Sequence, residues 1–130
     1  MRSNLDMNFK KYVGREYSEY NCFDLVKEFY LDVFNLKLKN YYEGDTPNSR
    51  GAQSLIISNK GDFVSIEEDQ AKFGDIIVIE LYGIECHLGV YIDKTHFLHS
   101  VKVTGSSLER IAKYKNMICG YYRHRELAHD

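Results

Sequence analysis

The sequence predicts a single α+β domain covering residues 1–130, with helical structure at the N-terminal end packed on a mostly antiparallel sheet of five or six strands. Two observations carry this prediction. An apolar stripe of helical period follows Asn21, and from Phe63 onward the chain changes to short β-rich runs separated by turn residues. Helical structure first and a run of strands afterwards is typical of α+β domains.

The helix is predicted over residues 22–36, where apolar side chains recur at 22, 25, 26, 29, 30, 33 and 34. Asn21 is a suitable N-cap, and Asp24 at the third helical position gives an acidic version of the capping box. Cys22 therefore lies in the first turn, on the stripe with Val26 and Phe29, and faces whatever the helix packs on.

The strands are predicted from six short runs in the second half of the chain. These are FVSI (63–66), DIIVIELY (75–82), HLGVYI (87–92), HFLHSV (96–101), SLERI (107–111) and MICGYYR (117–123). Between the helix and the first strand, residues 37–47 are predicted to form a loop and residues 48–58 a weak helix.

The composition excludes several classes of function. A formal net charge of -2 without a block of like charge indicates neither nucleic-acid binding nor a basic membrane surface. Three cysteines without C-x-x-C spacing argue against a disulfide framework and a structural zinc site. Neither a metal nor an organic cofactor is expected. No segment reaches transmembrane length, and the N-terminus lacks the apolar run of a secretory signal. The protein is expected to be made in the cytoplasm and not exported by the usual route.

Cys22 is the first candidate for chemistry, because a helix N-terminus presents unpaired N–H groups and a partial positive charge. These favour the thiolate over the thiol and can also bind the oxyanion of a tetrahedral intermediate. The alternative is that Cys22 is a small buried hydrophobic residue, which is the commoner situation for a cysteine. A partner base is needed to favour the reactive interpretation.

The candidate partners lie in the hairpin HLGVYIDKTHFLHS. If the turn is the three residues 93–95, Ile92 pairs with His96 and Gly89 falls opposite His99. His87 then shares a face with His99 as its diagonal neighbour, together with Gly89, Tyr91 and Phe97. A two-residue turn would place the two histidines on opposite faces. Gly89 inside a strand is explained if a helix or a substrate backbone comes close there.

Cys22, His87 and His99 can thus form a nucleophile, a base and a residue that orients the base. The alternative for each histidine is a satisfied or solvent-facing side chain. The other marked residues have structural interpretations. Cys86 points to the opposite strand face from His87, Cys119 is expected in the core, His96 is expected to face solvent, and Asp75 can cap a turn.

Three blocks of sequence resemble the NlpC-type papain-like cysteine peptidases, which cut stem peptides of bacterial peptidoglycan. GREYSEYNCFDLVKEFY is similar to the family's nucleophile block, FGDIIVIE to its Gly-Asp strand, and HLGVYIDKTHFLHS to its strand bearing the base and the second histidine. The resemblance implies a papain-like fold in which Cys22 is the nucleophile, His87 the base and His99 the orienting residue.

The resemblance also implies a substrate site. Tyr17 matches the family's tyrosine upstream of the nucleophile, and we expect Tyr17, Asn21 and Gly89 to contribute to the substrate or oxyanion site. Asn21 stands where the family usually has Asp. The bond between D-glutamate and the diamino acid is the favoured target.

The segments FYLDVFNLKL and CGYYRHREL resemble the branch found in tailed-phage tails. That branch implies delivery by the virion to the host cell wall or periplasm, with other phage tail proteins as partners. Two alternatives stay open: a catalytically silent tail-tip or assembly component, and another acyl-transfer chemistry on the same scaffold.

Overall fold

A computed structural model of the protein describes residues 9–38, 62–81 and 85–127. The weak helix expected at 48–58 and nearly all of the loop expected at 37–47 lie outside these ranges. The secondary structure consists of the helix α1 (Cys22–Phe34), the strands β1 (Phe63–Ile66), β2 (Ile76–Leu81), β3 (Glu85–Tyr91), β4 (His96–Val101), β5 (Gly105–Arg110) and β6 (Ile118–His124), and short 3-10 helices at Phe9–Tyr12, Glu68–Gln70, Ile111–Met117 and Arg125–Leu127.

The strands form one six-stranded sheet in the order β1-β6-β2-β3-β4-β5. Each recorded pair of neighbours is antiparallel. Strands β2 to β5 follow one another as a meander, and β6 returns to lie between β1 and β2. The α+β prediction is confirmed, and the predicted strand ends lie within two residues of the observed ones. Within the described ranges, no helix is long and apolar enough to cross a membrane.

The sheet separates two apolar clusters. On one face α1 packs its buried Leu25, Val26 and Phe29 against Leu88 and Leu98 of the sheet. On the other face a smaller cluster, which continues into the 3-10 helix Ile111–Met117, contains Ile77, Ile79, Tyr91, Phe97, Ile111 and Tyr121. Burying one side chain of this size contributes about 1.5–3 kcal/mol. The α1 face buries more apolar side chains than the other face, so it supplies most of the hydrophobic stabilisation.

Helix α1 begins as predicted. The Asn21 side chain accepts a hydrogen bond from the Asp24 backbone N–H at 2.8 Å, and the Asp24 carboxylate accepts one from the Asn21 N–H at 3.2 Å. The capping box is therefore complete. The helix ends two residues earlier than predicted, because Asn35 adopts the left-handed conformation (φ 54°) and the Leu36 N–H turns back to the Tyr30 carbonyl.

An ion pair with a buried carboxylate joins the residue that precedes β2 to β6. The Arg123 guanidinium donates to both carboxylate oxygens of Asp75, at 2.9 and 2.8 Å, and the Asp75 side chain is almost fully buried. Asp75 also accepts the Lys72 N–H at 2.7 Å, so its expected role as a turn cap is confirmed. The guanidinium reaches the Gln70 carbonyl as well.

The prediction that Cys119 lies in the core is wrong, because its side chain is exposed. The β2–β6 register shifts at this point: Val78 pairs with Gly120, whereas Ile79 pairs with Ile118. Cys119 is the extra residue of this bulge. A bulge interrupts the alternation of side chains between the two faces of a strand and changes the direction of the extra residue's side chain. Its sulfur lies 3.7 Å from the Glu80 carboxylate.

Candidate active site

The hairpin of β3 and β4 has the three-residue turn that the sequence argument requires. Gly89 pairs with His99 and Tyr91 with Phe97, and the Ile92 N–H donates to the His96 carbonyl at 3.0 Å. The Asp93 carboxylate closes the turn by accepting backbone N–H groups of the residues that follow it. Directly paired residues share a face, so the predicted register and the common face of the two histidines are confirmed.

The two histidines form a buried hydrogen-bonded pair. Nε2 of His87 lies 2.9 Å from Nδ1 of His99, and the ring centroids are 5.0 Å apart. His87 and His99 are 4% and 0% exposed. Because His99 occupies Nε2 of His87, Nδ1 is the nitrogen of His87 that is left to act as a base.

Two aromatic rings hold His99 in place. Its ring centroid lies 4.6 Å from that of Phe97 and 5.2 Å from that of Tyr114 in the 3-10 helix Ile111–Met117. Gly89 has a local reason in the packing of Phe97, while contact of Gly89 with a substrate stays a prediction. A Cβ at Gly89 would come within 2.6 Å of the Phe97 ring, so the glycine makes room for the residue that packs on His99.

The start of α1 lies next to the end of the β3–β4 pairing. The body of α1 packs on the opposite face of the sheet, against Leu88 and Leu98. The recorded β3–β4 register ends at the Gly89–His99 pair. Beyond it the Leu88 backbone forms a hydrogen bond with the Cys22 thiol. The start of α1 is thus held at the residue that follows His87 in the chain.

Two serines that the sequence argument did not identify fix the segment preceding Cys22. The Ser100 hydroxyl, next to His99 in β4, donates to the Tyr20 carbonyl at 2.5 Å. On β5, Ser106 exchanges backbone hydrogen bonds with Gly14 and Arg15, and its hydroxyl accepts the Arg15 N–H at 2.9 Å. Small polar residues at buried strand positions were the available signal, since a buried hydroxyl needs a partner.

Tyr17 and Asn21 lie just before Cys22 in the chain. Tyr17 is half-buried in a turn in which the Tyr20 N–H donates to the Glu16 carbonyl at 2.9 Å. Asn21 is 8% exposed, and its side-chain oxygen is engaged in capping α1. The capping contact gives Asn21 a structural role, while contact of Tyr17 or Asn21 with a substrate stays a prediction.

Burial dominates the electrostatics of the site. It raises the pKa of the Cys22 thiol to about 11, although backbone hydrogen bonds with Leu88, Phe23 and Cys22 itself act in the opposite direction. Burial also lowers the pKa of His87 to about 3 and that of His99 to about 4. Burial thus acts against the preference for the thiolate that a helix terminus confers, and it favours the uncharged forms of the thiol and of both imidazoles.

The part of the chain that the structure describes has no group of three or more His, Cys, Asp or Glu side chains placed to hold a metal ion. The site contains a thiol at a helix start and an imidazole, His87, that is hydrogen-bonded to a second imidazole, His99. These are the elements of nucleophilic acyl transfer.

Comparison with known proteins gives a family for the chain. A search of curated proteins found no significant match. The profile of the NlpC/P60 family matches residues 10–125, which include Cys22, His87 and His99 as well as α1 and all six strands. Membership of this family indicates a cell-wall peptidase or amidase of the cysteine type. The chain belongs to the NlpC/P60 family.

Proposed function

We propose that the protein is a cysteine endopeptidase that hydrolyses amide bonds in peptidoglycan stem peptides, with Cys22 as nucleophile, His87 as base and His99 as the residue that orients the base. Family membership supports the reaction class. The observation that carries the assignment of roles is the 2.9 Å contact between Nε2 of His87 and Nδ1 of His99. This contact leaves Nδ1 of His87 available to accept the thiol proton.

In the proposed mechanism the proton moves when the sulfur attacks. Nδ1 of His87 takes the thiol proton as Cys22 adds to the scissile carbonyl, and His87 returns it to the departing amine when the C–N bond breaks. A water molecule, deprotonated by His87, then attacks the thioester, the C–S bond breaks, and His87 returns the proton to the departing Cys22 sulfur. Throughout, His99 accepts the Nε2–H of His87, which stabilises the imidazolium that forms between the two transfers.

The oxyanion is proposed to form at the start of α1. Backbone hydrogen bonds of Cys22 and Phe23 act on the sulfur, whereas the Asp24 N–H is occupied by the Asn21 cap. The first two N–H groups of the helix are therefore suited to a developing negative charge. Tyr17, in the turn before Asn21, is proposed to contact the substrate on the same side as these N–H groups.

The finer assignment is the bond between D-glutamate and the diamino acid, cut by a protein carried in a phage tail. The support is the resemblance of the nucleophile block and of the segments FYLDVFNLKL and CGYYRHREL. Delivery by a virion would bring the enzyme to the cell wall of the host and give it other tail proteins as partners.

The test is digestion of purified diaminopimelate-type and lysine-type peptidoglycan by the wild type, Cys22→Ala and Cys119→Ala. Cys119 is the matched control, because it is an exposed cysteine on β6 outside the proposed site. We expect the wild type and Cys119→Ala to release the same stem-peptide fragments, identified by mass spectrometry, and Cys22→Ala to release none. Fragments that persist with Cys22→Ala would contradict the assignment.

A second candidate is a catalytically silent tail component that retains the fold. The near-complete burial of Cys22 and His87, each 4% exposed, favours this alternative, because a closed site admits no substrate. It predicts stable binding to other tail proteins and no fragments from either wall type with folded wild-type protein.

A further inference from the structure

Two buried polar atoms beside the histidine pair have no hydrogen-bond partner among the described residues. They are Nε2 of His99 and the hydroxyl oxygen of Ser107. His99 in β4 pairs directly with Ser107 in β5, so both side chains lie on the same face of the sheet. Their Cβ atoms are therefore about 5 Å apart. As placed, the two atoms are not hydrogen-bonded to each other, and a rotation of the Ser107 side chain or one water molecule is sufficient to join them.

The proposed mechanism requires a hydrogen on Nε2 of His99. When His87 becomes an imidazolium, both of its nitrogens carry hydrogens, and Nδ1 of His99 must accept the one on Nε2. Neutral His99 then has its single hydrogen on Nε2, inside the protein. The opposite tautomer would donate from Nδ1 of His99, place the hydrogen of His87 on Nδ1, and leave no base facing the thiol.

We propose that Ser107 is a positioning residue that accepts the hydrogen on Nε2 of His99 and thereby holds the histidine pair in the arrangement that lets His87 take the thiol proton. The catalytic consequence rests on the proposed function, whereas the hydrogen bond itself does not. A buried N–H without an acceptor has a free-energy penalty. Without Ser107, this penalty would destabilise the state in which His87 is protonated.

The other groups around His99 are less suited to this role. Phe97 and Tyr114 contact it through their ring faces and edges. Glu109, two residues after Ser107 in β5, is occupied by an ion pair with Lys113 at 3.2 Å. These two charges act on the pKa of His99 in opposite directions, Glu109 raising it and Lys113 lowering it. Ser107 is the residue that its strand register places opposite His99.

The test is the tautomer of His99, read from the ring ¹⁵N chemical shifts of the protein at pH 7. The five histidine signals are assigned with single His→Gln variants. We expect the hydrogen of His99 on Nε2 in the wild type and in Ser107→Thr, and a mixture of tautomers in Ser107→Ala. Ser65→Ala, which removes an exposed hydroxyl from the far strand β1, is the control and should match the wild type.

Turnover is measured on the same variants. We expect Ser107→Ala to lower kcat roughly tenfold with little change in KM and Ser107→Thr to restore it, since a lost buried hydrogen bond is of this size. A wild-type hydrogen on Nδ1 of His99, or a tautomer unchanged in Ser107→Ala, would overturn the proposal. The ¹⁵N result stands even if the protein cleaves no peptidoglycan, so failure of the proposed function is distinguishable from failure of this inference.

Discussion

Alkylation of Cys22 should be slow at neutral pH in the absence of substrate. Burial raises the pKa of its thiol to about 11, from a reference value of 9.0. At pH 7 the thiolate fraction is then about 10⁻⁴, against about 10⁻² for an unperturbed thiol, because each pH unit below the pKa lowers it tenfold. Reaction with iodoacetamide should therefore be about 100-fold slower than for an exposed thiol, and should rise about tenfold per unit from pH 7 to 10.

The assay is peptide-level mass spectrometry of timed iodoacetamide reactions, with glutathione as the reference thiol. His87→Ala is the matched variant. With a neutral resting pair, loss of His87 leaves the slope of the pH profile unchanged, because the imidazole does not hold a thiolate. A rate at pH 7 above that of glutathione, flat from pH 6 to 8 and lost in His87→Ala, would refute the argument. It would show a preformed thiolate–imidazolium pair.

Three further predictions concern stability. Asp75→Ala leaves the Arg123 guanidinium without its buried partner and should lower the free energy of unfolding by about 3–5 kcal/mol in urea denaturation; a loss below 1 kcal/mol would contradict this. Asn21→Ala removes the cap of α1 and should cost about 1 kcal/mol, with Asn21→Gly recovering most of it. Burial lowers the pKa of His87 and His99 to about 3 and about 4, so the unfolded chain binds more protons below its pKa near 6.5. The free energy of unfolding should therefore fall as the pH drops from about 6.5 to 4, and less steeply in His99→Asn.

Local patterns were sufficient to predict much of the fold. The capping box at Asn21, the helical stripe and the period-2 runs depend on neighbours within a few residues, and the structure has each of them. The histidine pair was predictable for the same reason, because a three-residue turn fixes the register between Gly89 and His99. Family resemblance then linked these histidines to Cys22.

Long-range contacts were not predictable from the sequence pattern. The bulge that exposes Cys119 arises from the pairing of β2 with β6, far apart in the chain. The Ser100 contact to the Tyr20 carbonyl joins residues 80 positions apart. The thiol pKa depends on how completely α1 and the sheet close over Cys22, and a helix terminus alone indicated the opposite direction. In each case the deciding partner lies on another element.

The central claim is that Cys22 forms a covalent acyl intermediate with a stem peptide. Intact-mass spectrometry of acid-quenched reactions with a soluble stem peptide measures it directly. We predict a transient increase equal to the acyl fragment, mapped to the peptide that contains Cys22 and absent in Cys22→Ala. Turnover without an adduct, continuing in Cys22→Ala, would contradict the account.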